Sequence, residues 1–262
     1  MHETTPTVHL IARPALNVEG MRAYLEDVGG EAWLDRRLEE AGGAPNAGEL
    51  LVEFGGRACY RSWEPGLNPN VTRVRTDQVE YFENILRSAH GSVLEHSSYS
   101  FALRNVSRVA THEIVRHRAG SAFSQESLRY VRLTDIGFRV PPALEPVRER
   151  VLAIVEQLEE LQVSAAQELG IDDEGVPFHV KKEVTSALRR IAPIGLSTDI
   201  IWTANVRTLR HVVEMRTAPG AEEELRLIFD QVARIMRGEA PGLFQDFAQN
   251  GDGAWQPRYT KV

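Results

Sequence analysis

Apolar positions recur along this chain with two different periods, and these divide it into elements. Across residues 97–103, Tyr99, Phe101 and Leu103 alternate with polar neighbours, as in a strand with one buried face. Residues 8–12 form a shorter apolar run halted by Pro14, and residues 199–203 read as a third strand. Over residues 78–89, Val79, Phe82, Ile85 and Leu86 share one helical face, with Gly91 as a stop. Helices are expected at residues 21–28 and 31–41, punctuated by Gly29-Gly30 and Gly42-Gly43. Ser107 can cap a helix from Arg108 to about His117. Further helices are expected at about 145–169, 175–191, 206–215, 221–237 and 243–248, with Pro193 and Gly195 breaking the chain. Residues 66–70 read as a loop, and the polar stretch 121–128 is expected to be irregular. The strands are too few and scattered for a doubly wound sheet. The pattern predicts an α+β fold, rich in helix around a small, mostly antiparallel sheet.

Length and charge narrow the picture. At 262 residues the chain suits one large domain or one with a terminal extension. Hydrophobic residues make up 42%, enough for a sizeable core. No apolar run is long enough for a membrane span, and residues 1–7 lack a secretory pattern, so a cytoplasmic protein is expected. A single cysteine, Cys59, excludes a disulfide framework and a multi-cysteine metal site. The net charge of −7 weighs against non-specific binding to nucleic acid, while leaving a local basic site open.

Candidate chemistry concentrates in residues 113–130, where Glu113, Arg116, His117, Arg118, Gln125, Glu126, Ser127 and Arg129 fall close together. Consecutive residues on a helix point about 100° apart, so Arg116, His117 and Arg118 surround an anion only if the helix ends and releases them. Guanidinium forks suit phosphates and carbonyl-rich rings. A solvated, cationic helix end is the plainer alternative. His112-Glu113 with His117 resembles a zinc motif, but the second histidine comes at i+5 and lies about 140° round the helix, so no zinc site is expected. His90 and His96 are uninformative as a pair. Cys59, flanked by arginines, could be activated, but a buried inert thiol is the commoner outcome. No Gly-x-Ser-x-Gly elbow or Gly-x-Gly-x-x-Gly fingerprint is present, so a flavin or nicotinamide would bind outside a Rossmann crevice.

Several motifs in order nevertheless resemble one family. They are Arg57-Ala-Cys-Tyr-Arg-Ser-Trp63, His90-Gly-Ser-Val-Leu-Glu-His96, Ser107-Arg-Val-Ala-Thr-His-Glu-Ile-Val-Arg-His-Arg118 and Ser124-Gln-Glu-Ser-Leu-Arg-Tyr130. Arg189 before Pro193, and Asn205-Val-Arg207 leading through His211 to Arg216, complete the set. Together these resemble the flavin-dependent thymidylate synthases. The resemblance implies a domain over residues 57–248, an N-terminal extension over 1–56 and a tail over 249–262. It implies a homotetramer with active sites at subunit interfaces. FAD is the implied cofactor, with NADPH and methylenetetrahydrofolate as co-substrates and no metal.

Carried over by position, His90, Ser92, Arg116, His117, Arg118, Gln125, Asn205, Arg207 and His211 are implied cofactor contacts, His90 lying near flavin and folate. Glu113, Arg116, Gln125, Glu126, Ser127, Leu128, Arg129, Arg189 and Arg216 are implied nucleotide contacts, with Arg216 and Ser127 the catalytic pair. The implied reaction is reductive methylation of dUMP to dTMP at uracil C5. Two alternatives stand beside it: the same chemistry on UMP, and a basic patch for nucleic acid built on Arg104, Arg108, Arg116, Arg118, Arg129 and Arg132. The chain departs from the family pattern in three places. One extra residue lies in the loop 119–126, Gly220 stands where a histidine is usual, and the lead-in over residues 1–56 is longer.

Overall fold

A computed structural model of the chain describes residues 1–260. In chain order its strands are β1 (His2–Glu3), β2 (Thr7–Ala12), β3 (Ser98–Ser107), β4 (Ser121–Gln125), β5 (Gly137–Phe138), β6 (Ser197–Asn205), β7 (Phe247–Gln249) and β8 (Trp255–Pro257). Its helices are α1 (Val18–Val28), α2 (Glu31–Glu40), α3 (Ala47–Tyr60), α4 (Gln78–Arg87), α5 (Arg108–Ile114), α6 (Arg148–Glu168), α7 (Phe178–Leu188), α8 (Val206–Thr217) and α9 (Glu223–Glu239). None of them is long and apolar enough to cross a membrane.

The centre is an antiparallel sheet in the order β2-β3-β6-β4, in line with the expected α+β class. The alternation along β3 buries Tyr99, Phe101 and Leu103. Phe101 sits opposite Trp202 of β6, which in turn faces Phe123 of β4. Helices α8 and α9 cover this face, and Phe229 of α9 meets Trp202 edge-on at 5.5 Å. Burying each such side chain is worth about 1.5–3 kcal/mol, so the aromatic row fixes both register and helix placement.

Four expectations are corrected. Residues 121–125 are strand β4, because backbone pairing along the edge of β6 needs no apolar alternation. Helix α5 stops at Ile114 instead of His117: the Arg116 and His117 amides close onto Glu113 and Ile114 carbonyls three residues back, turning the chain out. In place of a helix over residues 243–248 there is a 3₁₀ turn, Pro241–Phe244, followed by the β7–β8 hairpin. Cys59 is exposed, not buried.

Helix α3 had no sequence signal, since its interior holds Gly48, Gly55 and Gly56. The structure supplies the reason at Gly56: a Cβ there would lie 2.2 Å from the Tyr81 hydroxyl. Helix propensity is given up for close approach of α4. Helix α3 also carries the buried hub of the N-terminal region. Glu53 is fully buried and accepts from Arg37 Nε at 3.0 Å and Nη2 at 2.9 Å, Arg57 Nε at 2.8 Å, Trp33 Nε1 at 2.9 Å and Gln78 Nε2 at 2.9 Å. Burial pushes this carboxyl up, but the Arg37 hydrogen bond and the Arg57 and Arg37 charges outweigh it and hold it below the ordinary carboxylate range.

Glu53→Ala would leave the buried Arg57 guanidinium without its carboxylate and Arg37 with Glu40 alone. Breaking a buried pair costs about 3–5 kcal/mol, or a fall in Tm of roughly 6–20 °C for a domain of this size. Thermal melts at neutral pH followed by circular dichroism test this, and a shift under about 2 °C would contradict it. Because the folded-state pKa is depressed, the stabilisation is present above the unfolded value of about 4.3 and disappears as pH falls below it. Wild type and variant should therefore converge in acid.

Candidate active site

Two strand ends build the site. Strand β3 ends at Ser107, whose hydroxyl oxygen accepts from the Ala110 amide at 3.1 Å and starts α5. Ser107 is itself held by buried Glu224 of α9, which accepts from its amide at 2.7 Å and its hydroxyl at 2.5 Å. Strand β6 ends at Asn205, whose side-chain oxygen accepts from Thr208 N at 2.9 Å and starts α8. The loop between α5 and β4 docks on this second junction. Asn205 N donates to the Gly120 carbonyl at 3.0 Å, and the Thr208 hydroxyl donates to the Ala119 carbonyl at 2.7 Å. Gly120 has φ +66°, and a Cβ there would meet Asn205 Nδ2 at 2.3 Å, so the position requires glycine.

Docking lays Arg116, His117 and Arg118 beside the first turns of α8, from which Arg207 and His211 project at i and i+4. Together with Asn205, Thr208 and Glu95 they enclose a cleft of about 630 Å³. Its one carboxylate, Glu95, pairs with Arg207 at 2.5 Å. The cleft is therefore cationic, and it borders a helix N-terminus, where backbone N–H groups and the dipole favour anions.

At its inner edge, Arg216 from the last turn of α8 is gripped from two sides. Its Nη1 donates to Glu113 Oε2 at 2.7 Å and its Nε to His117 Nε2 at 2.8 Å. Burial, then the Arg216 and His211 charges, push His117 down to about 4. The ring is neutral at physiological pH, with its proton on Nδ1 because Nε2 accepts from Arg216. The His211 ring lies edge-on to His117 at 6.0 Å. A guanidinium held between a carboxylate and a neutral imidazole presents a fixed donor edge with little orientational freedom.

The sequence-derived residues fall into three places. Arg116, His117, Arg118, Asn205, Arg207 and His211 line the cleft. His90 and Ser92 line an adjoining cleft of about 290 Å³ with Cys59 and Tyr60, and Arg207 is common to both. Glu113 and Arg216 form the clamp with His117 at the inner edge of the cleft, and the remainder lie towards the other end of β4. Gln125 Nε2 donates to the Thr111 hydroxyl at 3.1 Å, Arg108 Nη2 to the Glu126 carbonyl at 2.8 Å, and Arg129 N to the Ser127 hydroxyl at 3.3 Å. Leu128 is buried, and it lines a crevice of about 10 Å³ with Arg189, too small for a ligand. Strand β4 separates this group from the cleft by about 3.3 Å per residue. Within one chain, Glu126, Ser127, Arg129 and Arg189 are not gathered around the cavity that holds Arg118 and His211. Sequence reasoning gave no role to Thr208, Glu95 or Tyr60. Thr208 had a legible signal, standing three residues after an N-cap asparagine.

A family model described as thymidylate synthase complementing protein matches residues 44–242. The flavin-dependent thymidylate synthase of Mycolicibacterium gilvum is 36% identical over 228 residues, spanning 83% of this chain and 88% of the relative. Those of Mycobacterium avium and Mycobacteroides abscessus are 35% and 36% identical, each spanning 77% of this chain and 80% of the relative. The match with the family model takes in the Arg116–Gly120 loop, the Asn205 junction and the Arg216 clamp, and with relatives this similar over this much of both sequences, the chain belongs to the flavin-dependent thymidylate synthase family.

Proposed function

We propose that this chain methylates dUMP to dTMP at uracil C5, with methylenetetrahydrofolate as carbon donor, FAD as cofactor and NADPH as hydride source. The observation that carries the reading is the clamp on Arg216 beside a cationic cleft. Uracil C5 is a weak nucleophile. A guanidinium against N3 and a neighbouring carbonyl would draw negative charge into the ring and raise electron density at C5, as donors do in an oxyanion hole. Glu113 and His117 aim that guanidinium, and a neutral His117 does so without adding a second positive charge. Ser127 would orient the ring edge, while Arg129 and Arg189 suit the phosphate.

The cleft residues fit FAD. Arg116, Arg118 and Arg207, together with the N-terminus of α8, would hold the pyrophosphate, with Asn205 and His211 beside it and His90 and Ser92 as further contacts. Bound FAD supplies the hydride that completes the methyl group. The separation of the nucleotide group from the cleft favours an assembly in which one subunit's Gln125–Arg129 segment and Arg189 complete another's cleft, in keeping with the homotetramer that the family resemblance implies. The relatives' names do not favour UMP or nucleic acid as the ligand. A cytoplasmic location agrees with this chemistry.

Three outcomes test the reading. In single-turnover methyl transfer with pre-reduced enzyme, Arg216→Ala should lose about 10²–10³-fold, and Arg216→Lys should recover little, because an ammonium lacks two fixed N–H groups. Retention of the rate within about twofold would remove Arg216 from the chemistry. By NMR the His117 ring should stay neutral from about pH 8 down to about pH 5; Arg216→Gln, by removing a nearby positive charge, should raise its midpoint towards the ordinary value. An unmoved midpoint would argue against the clamp. Cys59→Ala should keep methyl transfer within about tenfold, since polarisation of the ring by Arg216 activates C5 without a thiol nucleophile. A far larger loss with FAD still bound would restore covalent catalysis.

A further inference from the structure

The cleft that holds His90 and Ser92 does not end there. It shares Tyr60, Ile85 and His90 with a second recess of about 230 Å³. Tyr60 and His90 form the neck between the two: their rings are stacked, 5.8 Å apart and 20° from parallel. At the other side, Arg207 joins the His90 cleft to the cationic one. A groove therefore runs from the proposed flavin site, past two stacked rings, into the recess.

Arg73 and Arg75 line the wall of that recess. Their segment is anchored from inside by the buried hub. Arg57 Nη2 donates to the Arg75 carbonyl at 2.6 Å, and Arg37 Nη2 to the Thr76 carbonyl at 2.7 Å. With the backbone held, the two side chains share one carboxylate. Arg73 pairs with Glu80, and Arg75 Nε lies 3.6 Å from the same Glu80 oxygen. Two guanidiniums against one carboxylate leave a net positive charge in a recess reached through an aromatic neck.

We propose that this recess binds the anionic tail of a co-substrate whose planar ring lies at the Tyr60–His90 neck. Stacked rings suit a flat heterocycle, and paired guanidiniums suit carboxylates or phosphates. Two molecules of the proposed reaction carry this chemistry: a reduced folate with its glutamyl carboxylates, and NADPH with its phosphates. The inference rests on the proposed function for the identity of these molecules, and on the groove itself for the place.

The test uses the full-length, FAD-loaded protein and an Arg73→Ser/Arg75→Ser double variant. One arm compares pentaglutamyl with monoglutamyl methylenetetrahydrofolate, and the other compares NADPH with NADH. In one arm, KM for the more highly charged co-substrate should rise about 5–10-fold, while its less charged counterpart and kcat change less than about twofold. The arm that responds identifies the tail. Glu80→Gln removes the competing carboxylate and should move the same KM in the opposite direction, and it remains informative if the double variant folds poorly. Isothermal titration with pentaglutamyl folate and with NADPH should show the same ordering without turnover, weakening as salt rises. Unchanged KM and affinity in both arms would overturn the proposal. Absence of dUMP methylation by wild type would instead overturn the proposed function, leaving the titrations to report on the recess.

Discussion

Asn205 ends β6 and begins α8, and its backbone amide donates to the Gly120 carbonyl at 3.0 Å. The geometry of the site depends on this contact. Strand β6 is locked between β3 and β4 by the Phe101–Trp202–Phe123 row, so the position of Asn205 is set by the core. Its side chain starts α8, which fixes the directions of Arg207, His211 and Arg216. Its amide, with the Thr208 hydroxyl, holds the loop carrying Arg116, His117 and Arg118. Cationic side chains from two separate segments are thereby brought to one cleft by neutral hydrogen bonds, which add no charge of their own.

The clustering of positive charge has an electrostatic cost, and the structure limits it in two ways. His117, placed between Arg216 and His211, stays neutral and acts as an acceptor, so the guanidinium beside it gains a partner instead of a repulsive neighbour. Glu113 and Glu95 each take one arginine, Arg216 and Arg207, which lowers the net positive charge while leaving the cleft cationic. The N-terminal hub follows the same rule at greater depth. Glu53 pairs with two buried arginines, whose other N–H groups reach the Glu40 carboxylate and the backbone of residues 62, 75 and 76. A buried carboxylate thus shapes the surface segment that lines the outer recess.

Much of the fold was legible because its signals are local. The alternation of Tyr99, Phe101 and Leu103 marked β3, the face of Val79, Phe82, Ile85 and Leu86 marked α4, and Ser107 marked the start of α5. Even here tertiary packing intervened, since Val79 is exposed while Tyr81 takes its place in the core. The features that escaped are those whose cause lies elsewhere in the chain. Helix α3 is interrupted by glycines because the Tyr81 and Tyr99 hydroxyls press against it. Strand β4 is polar because its register comes from β6, and α5 ends early because its loop is held at Asn205.

For the candidate site, the sequence by itself determined the residue types, their order and the family. Arg116-His117-Arg118, the Ser124–Tyr130 run and the Asn205–Arg216 helix can be read without coordinates, because spacing within a motif is a property of the chain. Tertiary structure alone decided that Arg216 reaches back 103 positions to Glu113 and 99 to His117, that His117 is neutral, and that the Ser127 group stands apart from the cleft within one chain. The physical reason is that hydrogen-bond geometry, desolvation and like-charge repulsion act through distances in space. Those distances exist only after the aromatic core has set β6 and the Gly120 carbonyl has met Asn205.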